Sequence, residues 1–424
     1  MSDGRAQAAA IIFGLTYVVL SFGSLRPLRL DRTGATLVGA TAMIAGGVLT
    51  PHEAVAAVDF HTLALLFGMM IVIAHLRLAG FFRWLGANAL RWAHAPRTLL
   101  VLVVFLSGLL SALFVNDTAC LLLTPLVLDA ALGIGRSPVP FLLAVAMGSN
   151  AGGVATVVGN PQNMMIASFS RISYTRFLAV LGPVGLAGLA LTAGLLLLFF
   201  RRDLEGAGAA SPGAAGPAPP VVHRPLLIKS AIVTALLLAA LLLGVTPSLA
   251  ALGAASVLLV TRRVNPLRVY GQVNWALLVM FAGLFVVVEG VERAGLTARW
   301  LVLVRPEQRE ALPLLVGATA TLSNLVSNVP AVLLLRSWAA HFPDPERAWL
   351  ALAMASTLAG NLTLVGSVAN LIVVEQARSR MEQSGARGPG AIVSFWAYAR
   401  VGIPLTLVTL AFGTAWLALT GPHR

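Results

Sequence analysis

The chain has 424 residues, 58% of them hydrophobic and 11% charged, with a mean hydropathy of +0.88. A soluble domain carries about 25% charged residues, so this composition excludes one and indicates an all-α polytopic membrane protein whose main partner is the lipid bilayer. The net charge of +13 does not call for nucleic acid as a partner, because the basic residues fall in short loops between apolar runs, where the positive-inside bias puts them.

In chain order, apolar runs close to the roughly 20 residues of a membrane crossing fall at 8–24, 33–50 and 60–79. The first has the look of a signal peptide, but it matches the run beginning at 225 and is therefore read as integral. A long stretch at 98–132, an interrupted run at 138–168 and a further run at 177–200 complete the first half. The segment 203–220 reads DLEGAGAASPGAAGPAPP, too small, flexible and proline-rich to pack. It divides the chain into a first repeat at 1–200, a cytoplasmic linker at 201–224 and a second repeat at 225–424. The second repeat gives runs at 225–243, 246–261, 273–290, 311–335, 348–374 and 398–419.

The halves share polar clusters as well as order. Ser111-Ala-Leu-Phe-Val-Asn116 matches Ser323-Asn-Leu-Val-Ser-Asn328, 212 residues on. Ser149, Gly153, Thr156, Gly159 and Asn163 match Ser356, Gly360, Thr363, Gly366 and Asn370, each 207 residues on. Phe67-Gly68 and Ala79-Gly80 match Ala282-Gly283 and Ala294-Gly295 at 215. Uncovered polar groups in hydrocarbon cost several kcal/mol each, roughly, so a duplicated polar centre points to a transport pathway at a repeat interface.

The stretch at 98–132 is too long for one straight crossing of about 30 Å. Its centre holds Asn116 and Asp117, and Arg97 and Arg136 flank it. Basic flanks favour both ends on one side, hence a re-entrant hairpin with a polar tip, with two tightly linked full spans as the alternative. With hairpins that do not cross, each half crosses five times. An odd number makes the two halves inverted repeats. With the N-terminus and C-terminus outside the cell inner membrane, the inner loops hold about two thirds of the 29 Lys and Arg residues. That count includes Arg26, Arg29, Arg32, Arg77, Arg201, Arg262 and Arg387.

Four clusters carry the chemistry. At the first tip, Asn116, Asp117 and Thr118 stand where backbone groups lack helical partners and can replace an ion's hydration shell. Asp117 is the most telling residue, since an acid deep in a span is a functional candidate by default and the matching position holds Val329. The second cluster, Ser149, Asn150, Thr156, Gly159, Asn160 and Asn163, surrounds a Gly-Asn-Pro interruption. There one helix C-terminus suits a cation and one helix N-terminus suits an anion. Ser327 and Asn328 form the second tip, and Thr363, Gly366, Ser367 and Asn370 the second break. Asp117 is expected to take a proton or cation, and Asn116, Asn328, Thr156 and Thr363 to touch solute or ion. The lone Cys120 offers neither a disulfide nor a multi-thiolate metal site, and the seven histidines show no ligand spacing. No phosphate loop, nucleophile elbow or metalloprotease motif occurs. No enzyme activity and no cofactor are expected, and transport would draw on an ion gradient, with sodium or a proton as coupling ion, or be passive.

At these clusters the chain resembles the ion transporter superfamily, which includes arsenite permeases, citrate–metal and divalent anion–sodium symporters and some sodium/proton antiporters. Asn116-Asp117-Thr118, GNPQNMMI from Gly159, Ser327-Asn328-Val329-Pro330 and AGNLTLVGSVANLIVVE from Ala359 carry the likeness. It is nearest to an anion permease branch beside the arsenite permeases. The resemblance implies inverted repeats each with a re-entrant hairpin and a broken helix, a homodimer, and elevator-like movement of a transport domain. It also implies sodium between each tip and its neighbouring break, at Asn116 with Gly159 and at Asn328 with Gly366. The expected function is secondary active transport of a small inorganic anion or oxyanion-type solute such as arsenite. The alternatives are a sodium/proton antiporter of the same fold or a sodium-coupled di- or tricarboxylate transporter. Dicarboxylate members carry Ser-Asn-Thr at both tips, whereas these tips read Val115-Asn116-Asp117 and Ser327-Asn328-Val329. An acid there suits a proton or cation relay, or a neutral substrate such as arsenous acid.

Overall fold

The computed structural model describes residues 3–25, 29–91, 95–205, 222–261, 263–297, 311–384 and 393–420. Most of the 201–224 linker, from 206 to 221, lies outside the described residues, as do Arg26, Arg262 and Arg387.

The first half contains α1 (Asp3–Phe22), α2 (Arg32–Ala45), α3 (Pro51–Ala57), α4 (Phe60–Leu78), α5 (Phe81–Arg91), α6 (Pro96–Phe114), α7 (Asn116–Gly133), α8 (Val139–Gly153), α9 (Pro161–Ser170) and α10 (Tyr174–Phe199). The second contains α11 (Arg224–Leu242), α12 (Pro247–Leu259), α13 (Pro266–Tyr270), α14 (Trp275–Arg293), α15 (Ala311–Val326), α16 (Asn328–Ala340), α17 (Pro345–Leu358), α18 (Val368–Ser384) and α19 (Phe395–Thr420). Among the described residues the only strand pairing is a two-residue antiparallel ribbon, β1 (Ser24–Leu25) with β2 (Leu30–Asp31). The chain is thus all-α, and α1, α4, α6, α10, α11, α14 and α19 are each long and apolar enough to cross a membrane.

Two expected crossings are shorter than their apolar runs. Helices α2 and α12 have 14 and 13 residues, about 20 Å of rise. Gly46 and Gly47 end α2, the latter at φ +68°, and a Thr50–Glu53 capping box then starts α3 separately. The run at 33–50 is therefore a short helix followed by a turn.

The long central stretches break where their polar residues stand. The runs at 98–132 and 311–335 each become two helices, meeting at Val115 and Ser327. The runs at 138–168 and 348–374 break into α8 and α9 around the 3₁₀ turn Val157–Gly159, and into α17 and α18 around Ala359–Asn361 and Leu364–Gly366. The first break has a local cause: Asn160 caps α9 through its side chain and Pro161 occupies N1.

The halves interlock reciprocally. Helix α4 packs on α12 and α14 on α2. A Cβ on Gly68 would lie 2.7 Å from the Ala251 carbonyl carbon, and one on Gly283 would lie 2.8 Å from that of Thr36. The offset of 215 that relates the two glycines also relates Thr36 to Ala251, so the same contact is made twice. The same offset joins two helix starts, since Asp59 caps α4 and Asn274 caps α14.

Helix α10, about 39 Å long for its 26 residues, serves as a ruler. Both ends of the α6–α7 hairpin meet the segment beyond its C-terminus: Arg97 donates to the Glu205 carboxylate at 2.7 Å, and Arg136 to the Glu205 and Asp203 carbonyls at 2.9 and 3.2 Å. The base of the α15–α16 hairpin lies at the other end of the ruler. There Glu346, just beyond α16, pairs with Arg176 in the first turn of α10 at 2.6 Å. The hairpins enter from opposite ends. Between them lie α8 and α17, whose residues Pro140 to Gly153 and Ala348 to Leu358 are all buried. Large apolar side chains on the periphery, such as Leu243 (84% exposed) and Val260 (81%), face outward, as a lipid solvent requires.

Candidate functional site

The two tips share an unusual backbone. Val115 has φ +83° and Ser327 φ +78°, a region that costs a non-glycine residue about 1–3 kcal/mol and clusters at functional sites. Each tip opens a helix, α7 at Asn116 and α16 at Asn328, and neither has a side-chain cap. The first-turn amides therefore face the tips without a partner from the N-cap residue, although at the first tip the Asp117 amide donates to Asn116 Oδ1 at 3.0 Å.

The breaks are built alike. Asn163 donates to the carbonyls of Gly153 at 3.1 Å and Thr156 at 3.0 Å. Asn370, 207 residues on, donates to Gly360 at 2.7 Å and Thr363 at 3.2 Å. Each amide closes the gap that its own break opens. Thr156 and Thr363 tie the breaks to the hairpins: Thr156 Oγ1 donates to the Ala112 carbonyl at 2.5 Å, and Thr363 Oγ1 to Asn324 Oδ1 at 3.0 Å.

Further bonds cross between the halves. Asn160 Nδ2 donates to Thr357 Oγ1 at 3.0 Å, and Ser367 Oγ to Asn150 Oδ1 at 3.2 Å. These are one interaction seen twice, since 207 residues separate Asn150 from Thr357 and Asn160 from Ser367. Asn150 is the hub. It also donates to Asn361 and Asn370 at 3.0 Å each and accepts from Asn116 at 3.2 Å. With its amide nitrogen turned toward carbonyls, Asn328 donates to Ser356 and Gly366 at 3.2 and 3.3 Å and accepts from Gln162 at 3.2 Å.

A cavity of about 240 Å³ lies between the tips. Asn116, Asp117, Gln162, Ser327, Asn328 and Ser367 line it, with Arg32, Thr33 and Asn274 on the facing wall. A second cavity of about 210 Å³ runs along α7 beside Asp117 and Thr118 to Arg77 and Gln272. Asp117 borders both, and among the described residues no hydrogen bond or ion pair engages its carboxylate. Of the residues singled out in the sequence, Asn116, Asp117, Thr118, Ser327, Asn328 and Ser367 face open space. Asn150, Thr156, Gly159, Asn160, Asn163, Thr363, Gly366 and Asn370 form the frame behind it. Ser149 bonds to its own helix at Ala146, 2.8 Å away. Asn328 meets Gly366, whereas no hydrogen bond joins Asn116 to Gly159 among the described residues. Also among those residues, no group of three or more His, Cys, Asp or Glu side chains could hold a metal ion.

Sequence reading missed Arg32, Asn274 and Thr357, whereas Gln162, Asn324 and Asn361 stood inside its polar clusters without an assigned role. Thr357 was within reach, because the 207 offset pairs it with Asn150. Arg32 had no such signal, since loop charge alone explained it.

The two ends of α14 differ. Asn274 at its start borders both cavities, together with the start of α2 (Arg32) and the end of α4 (Arg77). At its far end Arg293 pairs with Glu53 at 2.5 Å and Glu289 at 2.8 Å, and Arg336 of α16 pairs with Glu292 and, at 3.5 Å, Glu289. The Glu53 carboxyl, on the short helix between spans, is held below its usual range by the Thr50 backbone amide and hydroxyl. Space lies at the end where the α6–α7 hairpin enters, and ion pairs close the end where α15–α16 enters.

Comparison with known proteins adds the lineage. A family model for citrate transporters matches residues 11–355. A silicon efflux transporter from Oryza sativa subsp. japonica is 35% identical, over 96% of this chain and 97% of that protein. An arsenical pump membrane protein from Yersinia enterocolitica is 28% identical over 97% of this chain and 98% of its own length. Among solved structures, the YdaH transporter of Alcanivorax borkumensis aligns at a TM-score of 0.59 and 17% identity, covering 98% of this chain and 97% of that one. That likeness speaks to the fold.

Proposed function

The chain belongs to the citrate transporter family and is a multi-pass membrane transporter, and from that premise we propose that it is a secondary active permease for a small inorganic anion or oxyanion-type solute such as arsenite. One observation carries the reading. Four helix N-termini, those of α7, α9, α16 and α18, converge on the cavity between the tips. Each such end favours negative charge by about 0.3–1 kcal/mol, and more where partly buried. The relatives named for arsenical and silicon transport support the same solute class.

In this reading the halves are inverted repeats. The reciprocal contacts and the opposed entry of the hairpins support that relation. Asp117 takes the coupling ion, a proton or sodium, because it is an acid beside the solute space whose carboxylate has no partner among the described residues. With both termini outside the inner membrane, the cavities open to the cytoplasm and the ion pairs of α14 close the outer face. Transport is then an elevator-type exchange in which the tips and breaks move as one body against α2, α4, α12 and α14, in a homodimer. The hydrogen-bonded frame around Asn150 supports rigid movement of that body.

A sodium/proton antiporter is the second reading, and an Asp117 carboxylate without a partner among the described residues favours it. Full-length protein in vesicles, offered arsenite, silicate, phosphate, sulfate, citrate and sodium in turn, separates the two. Saturable counterflow of an oxyanion is the expected result. Sodium-dependent proton release with no oxyanion requirement would select the antiporter, and unsaturable flux would make the protein a channel.

A further inference from the structure

We propose that Arg32 is the cationic wall of the solute site, and that its guanidinium receives a carboxylate or oxyanion entering beside the Ser327–Asn328 tip. This deepens the anion-permease reading and rests on it.

Arg32 is the first residue of α2. Its neighbour Asp31 borders the larger cavity with it but forms no ion pair with it among the described residues, and that carboxylate caps the helix by accepting from the Gly34 amide at 2.8 Å. The guanidinium lies beside Gly23 at the end of α1. Among the described residues its buried Nε has no hydrogen-bond partner and no ion pair engages the side chain. A buried N–H left unpaired is costly, and more so on a charged group. The side chain does not face a sealed core. It borders the 240 Å³ cavity that holds both tips and another of about 460 Å³ that holds Asn324 and Ser327. An anion in this space completes the missing bonds, and the planar fork of arginine fits two oxygens of one acid group.

The duplication isolates the same residue. The offset of 215 sets Pro247 opposite Arg32, just as 212 sets Val329 opposite Asp117. Among the described residues, Arg32 and Asp117 are the two charged ones that line the cavity, and neither is duplicated. The repeated amides and hydroxyls form a polar frame common to both halves, and the two unrepeated charges divide the labour, Arg32 for the solute and Asp117 for the coupling ion.

The test uses arsenite, phosphate and citrate as probes, with calorimetric binding to the purified full chain and uptake into vesicles. Arg32→Gln is expected to raise the dissociation constant and the KM of the anion that binds by roughly ten- to a hundredfold, the value of a charge-assisted hydrogen bond, with Vmax little changed. Arg32→Lys, which keeps the charge and loses the fork, falls between. Arg29→Gln, at an exposed loop position, behaves as wild type. Anion uptake by Arg32→Gln with wild-type KM overturns the assignment and leaves the permease intact. Failure of the wild-type protein to bind any of the three probes overturns both.

Discussion

Asn150 is the residue on which the two halves depend most. It is 1% exposed and takes part in four side-chain hydrogen bonds: two donated to Asn361 and Asn370, two accepted from Asn116 and Ser367. These reach one hairpin tip and three residues of the second break. Asn150→Ala strips all four and leaves buried amide and hydroxyl groups without partners. A net hydrogen bond is worth about 1 kcal/mol and an orphaned buried group costs about 1–3 kcal/mol. Some partners keep other bonds, as Asn370 does to Gly360 and Thr363, so the loss comes to roughly 3–5 kcal/mol. Ser149→Ala, one residue away and equally buried, is the control. Its hydroxyl bonds to Ala146 of its own helix and meets Cys120 Sγ of α7 at 3.0 Å, both within the first half, so its loss leaves the contacts between the halves in place. Thermal unfolding of the full chain in detergent, followed by loss of monodisperse protein on size exclusion, measures both. Asn150→Ala should melt well below both wild type and Ser149→Ala. Equal melting of the two variants would refute the idea that this amide joins the halves.

Gly68→Ala and Gly283→Ala should each lose about 1–3 kcal/mol by overpacking, and by similar amounts, because each Cβ meets the same partner position in the opposite half. Melting curves check this, and a large loss at one site alone would contradict the reciprocal packing. Arg336→Gln leaves Glu292 facing the second hairpin without its cation and Glu289 with Arg293 alone. A cysteine at buried Val329 should then react faster with an impermeant maleimide added outside, by roughly tenfold for a shift of about 1.4 kcal/mol. An unchanged rate would mean that the ion pairs do not hold that face closed.

Much of this architecture was written in the sequence, because breaks and tips need residue types that hydrocarbon excludes elsewhere. Gly159-Asn160-Pro161 announced the first break through the proline's missing donor and the glycine's freedom, and the fold adds the Asn160 cap. The spacing of Asn163 to Asn370 foretold that the two amides would do one job. The internal repeat itself could be read at three offsets. The sequence was less informative wherever spatial neighbours are distant in the chain. Thr156 and Thr363 were expected at the solute, yet their hydroxyls bond to the first limbs of the hairpins, a docking that no linear pattern encodes. Helix length was overread at 33–50, since apolar residues continue past the glycines that end α2. Arg32 was hidden by its own plausibility as a loop cation, and only the folded chain shows which of many arginines borders the cavity.

The central claim is that Asp117 couples solute movement to an ion gradient, and the Asp117→Asn variant in vesicles tests it most directly. The amide keeps the size of the side chain and removes its charge, so the fold and the solute space should persist. Uptake driven by an imposed proton or sodium gradient is predicted to disappear, while counterflow exchange of the same solute continues. Gradient-driven uptake at the wild-type rate in a correctly inserted Asp117→Asn protein would contradict the account.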